Sequence, residues 1–292
     1  MHTLDFQEIN KRIEIPENLA ECDRRQYLDM AKLIFMYLHD EISREQFRLL
    51  GFYSLMNMEY SENELPNMQD EKWQNIYILS ELLESFFIEK EGAKHLVFDY
   101  IHNPVKTMKY KVLSFQGPKD GFENMTWKQM IDGIGELHAY RESKKPESLL
   151  KLFSMFYLRK GESYGKIDLD KRMDYFKDVD IRFVYGFYLL FTSFVTFLMA
   201  DAVIKVDGRD INLSLLFARD EDDEESEAAA AVDLPELGLR STAFQLAESG
   251  VFGTMDELDH SNAWTVLLRM YDMMVRNKKR EAEQKEKEND TP

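Results

Sequence analysis

Apolar side chains recur at helical spacing through the first third of the chain, and polar residues typical of helix starts precede them. Two segments, DRRQ from Asp23 and SREQ from Ser43, match a capping box, in which the first and fourth residues satisfy each other's free backbone amides. A third and wider apolar stripe starts at Trp73, and Gly92 supplies a helix stop. We therefore predict an N-terminal helical region over residues 1–92.

The spacing of apolar residues changes after residue 92. The runs 95–101 and 108–115 are short and rich in β-branched and aromatic side chains, which is typical of strands. Asn103-Pro104 lies between them and is a turn signal. We predict that these two runs pair with each other as one small β-hairpin.

Helical spacing returns at Thr126, which opens a third capping box, TWKQ. Pro146 stands where a first-turn proline is favoured, ahead of a broad apolar face. Asp168 or Asp170 is placed to start a short helix. Together with the hairpin and the apolar stretch that follows, these helices are predicted to form a core over residues 93–218.

One stretch, FVYGFYLLFTSFVTFLMA at residues 183–200, contains no charged side chain. As a helix its eighteen residues would cover about 27 Å, a little less than the ~30 Å hydrocarbon core of a bilayer. Gly186 and several hydroxyl side chains interrupt it, acidic residues flank it, and no basic cluster sets a membrane orientation. We predict a buried core helix over residues 183–204, and a single membrane span at 183–200 is the alternative.

Phenylalanines follow one another along this stretch at spacings of four and three residues, which places them on one face of a helix. We predict that its most buried face carries Phe187, Phe191, Phe194 and Phe197. A charge introduced at Phe194 is therefore expected to unfold the domain.

Beyond residue 218 the composition becomes strongly acidic. Residues 220–227 are DEDDEESE, and such a sequence has too little apolar surface to offset the entropy of folding. We predict an acidic linker over residues 219–237 and a C-terminal helical unit over 238–292, with a fourth capping box at Thr254 and a charged tail. The predicted fold class is thus mainly α, with a multi-helix core, a small β-hairpin and a tethered C-terminal helical unit.

Composition and charge narrow the classes of partner. The 292 residues carry a formal charge of −17, and 44% of them are hydrophobic, enough for a sizeable core. The negative field repels phosphate backbones, which argues against nucleic acid as a direct partner. Cys22 is the only cysteine, so neither an intramolecular disulfide nor a thiolate metal cluster is expected. The N-terminal sequence lacks the apolar region of a secretory signal, and we expect a cytoplasmic protein.

The sequence contains no motif that points to catalysis. The six histidines are scattered without metal-ligand spacing, and GESYGKI at Gly161 lacks the spacing and the hydroxyl residue of a phosphate-binding loop. The acidic run lacks the glycine and the spaced ligands of a calcium loop. We predict no enzyme activity, no cofactor and no metal site, and the sequence carries no signal for an oligomeric state.

The last apolar stripe of the chain suits binding to another protein. It lies beyond the acidic linker and combines methionine with aromatic side chains, and aromatic anchors dominate protein interfaces. The predicted partner-binding residues are Trp264, Leu267, Tyr271 and Met274.

Three segments resemble proteins encoded among the structural genes of tailed bacteriophages and prophages. They are IPENLAECDRRQYLDMAKLIFMYLHDEISREQFRLLGFYSLMNM, TWKQMIDGIGELHAYRESKKPESLLKLFSMFYLR and FQLAESGVFGTMDELDHSNAWTVLLRMYDMM. The third, a small-residue turn before a Trp/Leu helix, is similar to the ends of small acidic tail assembly chaperones. The resemblance implies a non-enzymatic tail assembly or structural protein that contacts a tail protein, or chaperones the tape-measure protein, in the host cytoplasm.

Overall fold

The computed structural model of the chain describes residues 1–6, 10–59, 70–90, 92–97, 100–200, 202–217 and 252–289. The predicted acidic linker at 219–237 lies outside these residues. The fold is mainly α with small hairpins, as predicted. The described α-helices are α1 (Arg24–Leu38), α2 (Arg44–Leu55), α3 (Glu71–Ser80), α4 (Trp127–Ser143), α5 (Pro146–Phe156), α6 (Leu169–Phe176), α7 (Ile181–Ala200), α8 (Met255–His260) and α9 (Ala263–Asn289).

The described strands form four two-stranded antiparallel hairpins, each made of consecutive strands. The strands are β1 (His2–Phe6), β2 (Lys11–Ile15), β3 (Phe87–Lys90), β4 (Ala93–Leu96), β5 (Thr107–Tyr110), β6 (Leu113–Gln116), β7 (Val203–Val206) and β8 (Arg209–Asn212). The sequence predicted one hairpin, so the fold uses this local unit more often than expected.

Helix starts were predicted correctly because their signals are local. Reciprocal capping boxes form at Asp23, Ser43, Thr126 and Thr254. Pro146 occupies the first turn of α5, and the Asp168 side chain accepts a hydrogen bond from the Lys171 amide at 3.1 Å to cap α6. Each cap satisfies backbone amides that have no partner within the helix.

The predicted pairing of residues 95–101 with 108–115 is wrong. Of the first run, His95 and Leu96 belong to β4, which pairs with the preceding strand β3; the second run forms its own hairpin, β5 with β6. Both turns are short and contain a residue in the left-handed region, Gly92 at φ 76° and Lys111 at φ 52°. Closing a tight turn costs less chain entropy than closing the longer loop around Pro104.

The third helix is also shorter than predicted. Helix α3 ends at Ser80, a 3-10 segment follows at Glu81–Phe86, and β3 begins at Phe87. Gly92 therefore turns a hairpin instead of ending a helix. The wide apolar face that suggested one long helix is shared by three short elements.

The chain forms two compact units that are not consecutive in sequence. The first contains Met1–Lys106 and Asp178–Ser193, and the second contains Thr107–Lys177 and the described residues from Phe194 onwards. Helix α7 contributes residues to both units. This grouping differs from the four consecutive segments that the sequence suggested, in which residues 238–292 form a unit of their own.

The first unit is built around helices α1 and α2 and the first part of α7. Residues Tyr27, Met30 and Ile34 of α1 are buried at helical spacing, and Phe47 of α2 is fully buried. The Tyr27 hydroxyl donates a 2.6 Å hydrogen bond to the main-chain oxygen of Gly186 in α7. Apolar burial and this polar contact together fix α7 within the unit.

Helix α7 is the apolar stretch singled out in the sequence. Every residue from Leu189 to Val195 is buried, so this part of the helix is enclosed on all sides. Among the described helices it is the one long and apolar enough to cross a membrane, and 67% of its most apolar window is buried inside the protein. Of the four predicted face residues, Phe197 is the exception, being half-buried.

The predicted extension of this helix to residue 204 is wrong. The helix ends at Ala200, and Val203 begins strand β7, which pairs with β8. Asp207 and Gly208 form the turn with φ of 49° and 77°. The Asp-Gly pair favours this turn because both residues accept positive φ.

Candidate interaction surfaces

The C-terminal helix α9 is anchored to the second unit at its first turn. The Asn262 Oδ1 accepts a hydrogen bond from the Trp264 amide at 3.1 Å, which caps the helix, and the Asn262 Nδ2 donates to the Glu123 main-chain oxygen at 2.7 Å. The Ala263 amide donates to the main-chain oxygen of Met125 at 3.0 Å. The described C-terminal residues are thus packed onto the segment that leads into α4.

Trp264 is half-buried and its polar edge is satisfied inside the same unit. Its indole Nε1 donates a 2.9 Å hydrogen bond to the Gly121 main-chain oxygen. The ring meets that of Phe194 edge to face, with centroids 5.8 Å apart, and Phe194 lies 4.5 Å from Phe122. This predicted partner-binding residue therefore helps to build the core of the unit.

The buried stripe of α9 differs from the predicted one. It consists of Ala263, Val266, Leu267 and Met270. Leu267, the second predicted partner-binding residue, is 0% exposed. A partner cannot reach this side chain while α9 stays packed.

A second apolar stripe on α9 is only partly covered. Its residues follow one another at spacings of four, three and four, which places them on one face of the helix. We call this face the α9 flank; it consists of Trp264, Leu268, Tyr271 and Val275. The first three are half-buried, and Val275 is 44% exposed.

The remaining predicted residues lie at or beside this face. Tyr271 belongs to the α9 flank, whereas Met274 is half-buried and continues the line of Leu267 and Met270. From Val275 to Arg280 every residue is exposed, so the helix leaves the covered surface there. Of the four predicted residues, Leu267 is out of reach of another protein while α9 stays packed, and Trp264, Tyr271 and Met274 are half-buried.

Sequence analysis missed a groove of about 610 Å³ in the second unit. Strand β6 supplies Leu113 and Phe115, and the segment from Arg159 to Tyr175 supplies the remaining lining residues. The segment GESYGKI, which does not match a phosphate-binding loop, forms part of this lining. Residues 106–119 contain four lysines and no acidic residue in a strongly acidic chain, but none of these lysines lines the groove, so they gave no signal for it.

Glu162 holds two guanidinium groups within the lining of the groove. Its carboxylate accepts from Arg172 Nη2 at 2.6 Å and from Arg159 Nε at 2.5 Å. Arg172 is 8% exposed, donates to the Tyr157 main-chain oxygen at 3.1 Å and lies 5.0 Å from the Phe115 ring centroid. Burial acts to raise the pKa of Glu162, but the hydrogen bonds from Arg172 and Arg159 outweigh it and hold that pKa below its usual range.

Neither Cys22 nor Tyr164 is activated as a nucleophile. Burial raises the pKa of the Cys22 thiol to about 12, so the position before a helix does not produce a reactive thiolate. Burial, together with the neighbouring Asp132, raises the pKa of Tyr164, whose hydroxyl donates to Asp132 at 2.9 Å. Within the described residues no three His, Cys, Asp or Glu side chains are grouped to hold a metal ion.

The comparisons with known proteins give no relative of this chain. It matches no family model, no curated protein and no solved structure. The resemblance to tail-module proteins therefore stays an expectation from the sequence.

Proposed function

We propose that this chain is a non-enzymatic assembly protein that acts by protein–protein contact through α9. The observation that carries the proposal is the α9 flank: the neighbouring stripe of the helix is buried, yet Tyr271 and Val275 remain partly exposed on a firmly anchored helix. A partner that covers a rigid apolar face of this kind pays a smaller ordering cost than one that binds a flexible segment. The sequence resemblance supplies the setting, a phage or prophage tail module in the host cytoplasm, with a tail or tape-measure protein as the partner.

Point substitutions test this proposal better than truncation. Removing the C-terminal residues would also remove Val266 and Leu267 from the core of the second unit. We therefore expect the pair Tyr271→Asp and Val275→Asp to abolish co-purification with the tape-measure or tail protein of the same phage or prophage. Ile78→Asp is the matched control, because Ile78 is an apolar residue 62% exposed on α3 of the first unit.

The result is interpretable when circular dichroism shows that both variants keep their fold. Loss of the complex in the α9 variant and its retention in the control supports the proposal. An α9 variant that is folded and still binds the partner contradicts it.

The second candidate function is a membrane-associated protein that uses α7. The length and apolar composition of Ile181–Ala200 favour it, whereas the burial of most of that helix favours the assembly protein. Fractionation without detergent distinguishes the two. We expect a monodisperse soluble protein, and recovery only in the membrane fraction would contradict our first proposal.

A further inference from the structure

We propose that the groove lined by β6 and residues 159–175 binds an acidic peptide segment that carries an apolar side chain. This second surface is separate from the α9 flank and does not rest on the function proposed for it. We call it the lysine groove, after Lys166 and Lys171 on its rim.

The rim of the lysine groove is positive in a negative protein. Its lining contains four cationic side chains, Arg159, Lys166, Lys171 and Arg172, against the two carboxylates Glu162 and Asp168, a formal charge of +2. The whole chain carries −17. A cationic groove in such a surface selects and orients an acidic ligand while the surrounding charge repels it elsewhere.

Part of this positive charge is free to meet a ligand. Lys166 pairs with no carboxylate in the described part of the chain. Lys171 lies 2.8 Å from Asp168, but its side chain is 86% exposed, so this surface pair is weak and can be exchanged for a ligand carboxylate.

The floor of the groove is apolar and held in place. Leu113, Ile167 and Tyr175 are half-buried, so each keeps apolar surface toward the groove. The Tyr175 hydroxyl donates to the Tyr110 main-chain oxygen at 3.2 Å, and the Lys111 ammonium lies 4.9 Å from the Tyr175 ring centroid. These contacts link α6 to the β5–β6 hairpin and fix the ring before a ligand arrives, which lowers the entropy lost on binding.

A short peptide fits this arrangement better than a small anion. The volume of about 610 Å³ lies within the ordinary range of ligand sites and accommodates a few residues. A free phosphate needs several donors converging on one point, but Glu162 already engages both Arg159 and Arg172. The cations that remain available are spread along the rim, above an apolar floor, which matches alternating acidic and apolar side chains.

The experiment is a selection of random heptapeptides by mRNA display on the immobilised full chain. It is run in parallel on the double variant Lys166→Glu with Lys171→Glu and on the control Lys145→Glu. Lys145 is an exposed lysine of the same unit that does not line the groove. Circular dichroism melting verifies that all three proteins are folded.

We expect peptides selected on the wild type and the control to be enriched in Asp and Glu beside an apolar residue, and this enrichment to vanish with the double variant. In calorimetric titration the best peptide should bind the double variant about tenfold more weakly or worse, and the control within about twofold. Raising NaCl from about 50 to about 300 mM should weaken binding severalfold.

Three results would overturn the proposal. The first is a pool of peptides selected on the wild type that is not enriched in acidic residues. The second is equal affinity of the best peptide for the wild type and the double variant. The third is full displacement of the peptide by about 5 mM inorganic phosphate, which would indicate a simple anion site. Because these substitutions leave α9 unchanged, failure here does not affect the test of the α9 flank.

Discussion

The phenol of Tyr27 donates a hydrogen bond of 2.6 Å to the main-chain oxygen of Gly186, joining α1 to α7 inside the first unit. Glycine permits this approach, because a Cβ at position 186 would lie 3.0 Å from Cε1 of the tyrosine ring. Tyr27 is 1% exposed, so water cannot replace the contact. A glycine that weakens the case for a membrane span thus has a packing role in the folded protein.

We expect Tyr27→Phe to lower the free energy of unfolding by about 1–3 kcal/mol, since it removes the buried hydroxyl that bonds to the Gly186 main-chain oxygen and to the Tyr100 hydroxyl. Tyr37→Phe on the same helix is the control, because the Tyr37 hydroxyl makes no hydrogen bond in the described part of the chain. Urea denaturation followed by circular dichroism measures both. Equal stability of the two variants would contradict the importance of the Tyr27 contact.

Two aspartates in α7 distinguish a core helix from a membrane span. Phe194 is 0% exposed between Phe122 and Trp264, so Phe194→Asp buries a charge without a partner and should prevent accumulation of folded protein. Thr196 is exposed, so Thr196→Asp should leave a soluble protein of nearly wild-type stability. If α7 were a membrane span, both aspartates would prevent its insertion, because both positions would face hydrocarbon or a helix partner. Size-exclusion chromatography of the soluble fraction is the measurement.

Local signals predicted the helices of this fold well, and pairing between distant residues was predicted poorly. A capping box such as Ser43 to Gln46 involves four adjacent residues, so the sequence contains all of it. The partner of the strand at 93–96 depends on which turn closes at lower cost, and alternation alone does not identify it. The long apolar face from Trp73 to Phe87 supported either one helix or several short elements.

The candidate surfaces show the same limit. Periodicity placed Leu267 and Tyr271 on one broad apolar face, but only packing decides that Leu267 is buried and Tyr271 half-exposed. The lysine groove joins β6 to α6 across more than fifty residues of sequence, so no local motif announces it.

Helix α9 carries buried residues that stabilise the second unit and, in our proposal, other residues that bind a partner. Leu267→Ala should lower the free energy of unfolding by about 2–5 kcal/mol, because it leaves a cavity at a fully buried site. Met274 is half-buried and lies about two helical turns further along α9. Met274→Ala should therefore lower the free energy of unfolding by less than about 1 kcal/mol. Chemical denaturation measures the difference. Similar, small losses for both would show that α9 is not an integral part of the second unit.

The ion pairs of Glu162 make the stability of the second unit depend on pH. The folded-state pKa of this carboxyl lies below the unfolded value of about 4.5, because hydrogen bonds from Arg172 and Arg159 outweigh its desolvation. Ionisation of the Glu162 carboxyl therefore raises the free energy of unfolding. This contribution is fully present above about pH 4.5 and is lost as the pH falls through the lower, folded-state pKa.

Glu162→Gln removes this contribution while keeping the shape of the side chain. At pH 7 we expect the variant to be less stable than the wild type by about 1–3 kcal/mol, since Arg172 stays buried without its counter-charge. Because the wild-type carboxylate is itself protonated in acid, the gap should narrow as the pH falls below about 4.5. Urea unfolding at pH 7 and at lower pH measures the gap, with Glu123→Gln, an exposed acid, as the control. A gap that stays constant with pH would mean that Glu162 stabilises the groove by its shape and not by its charge.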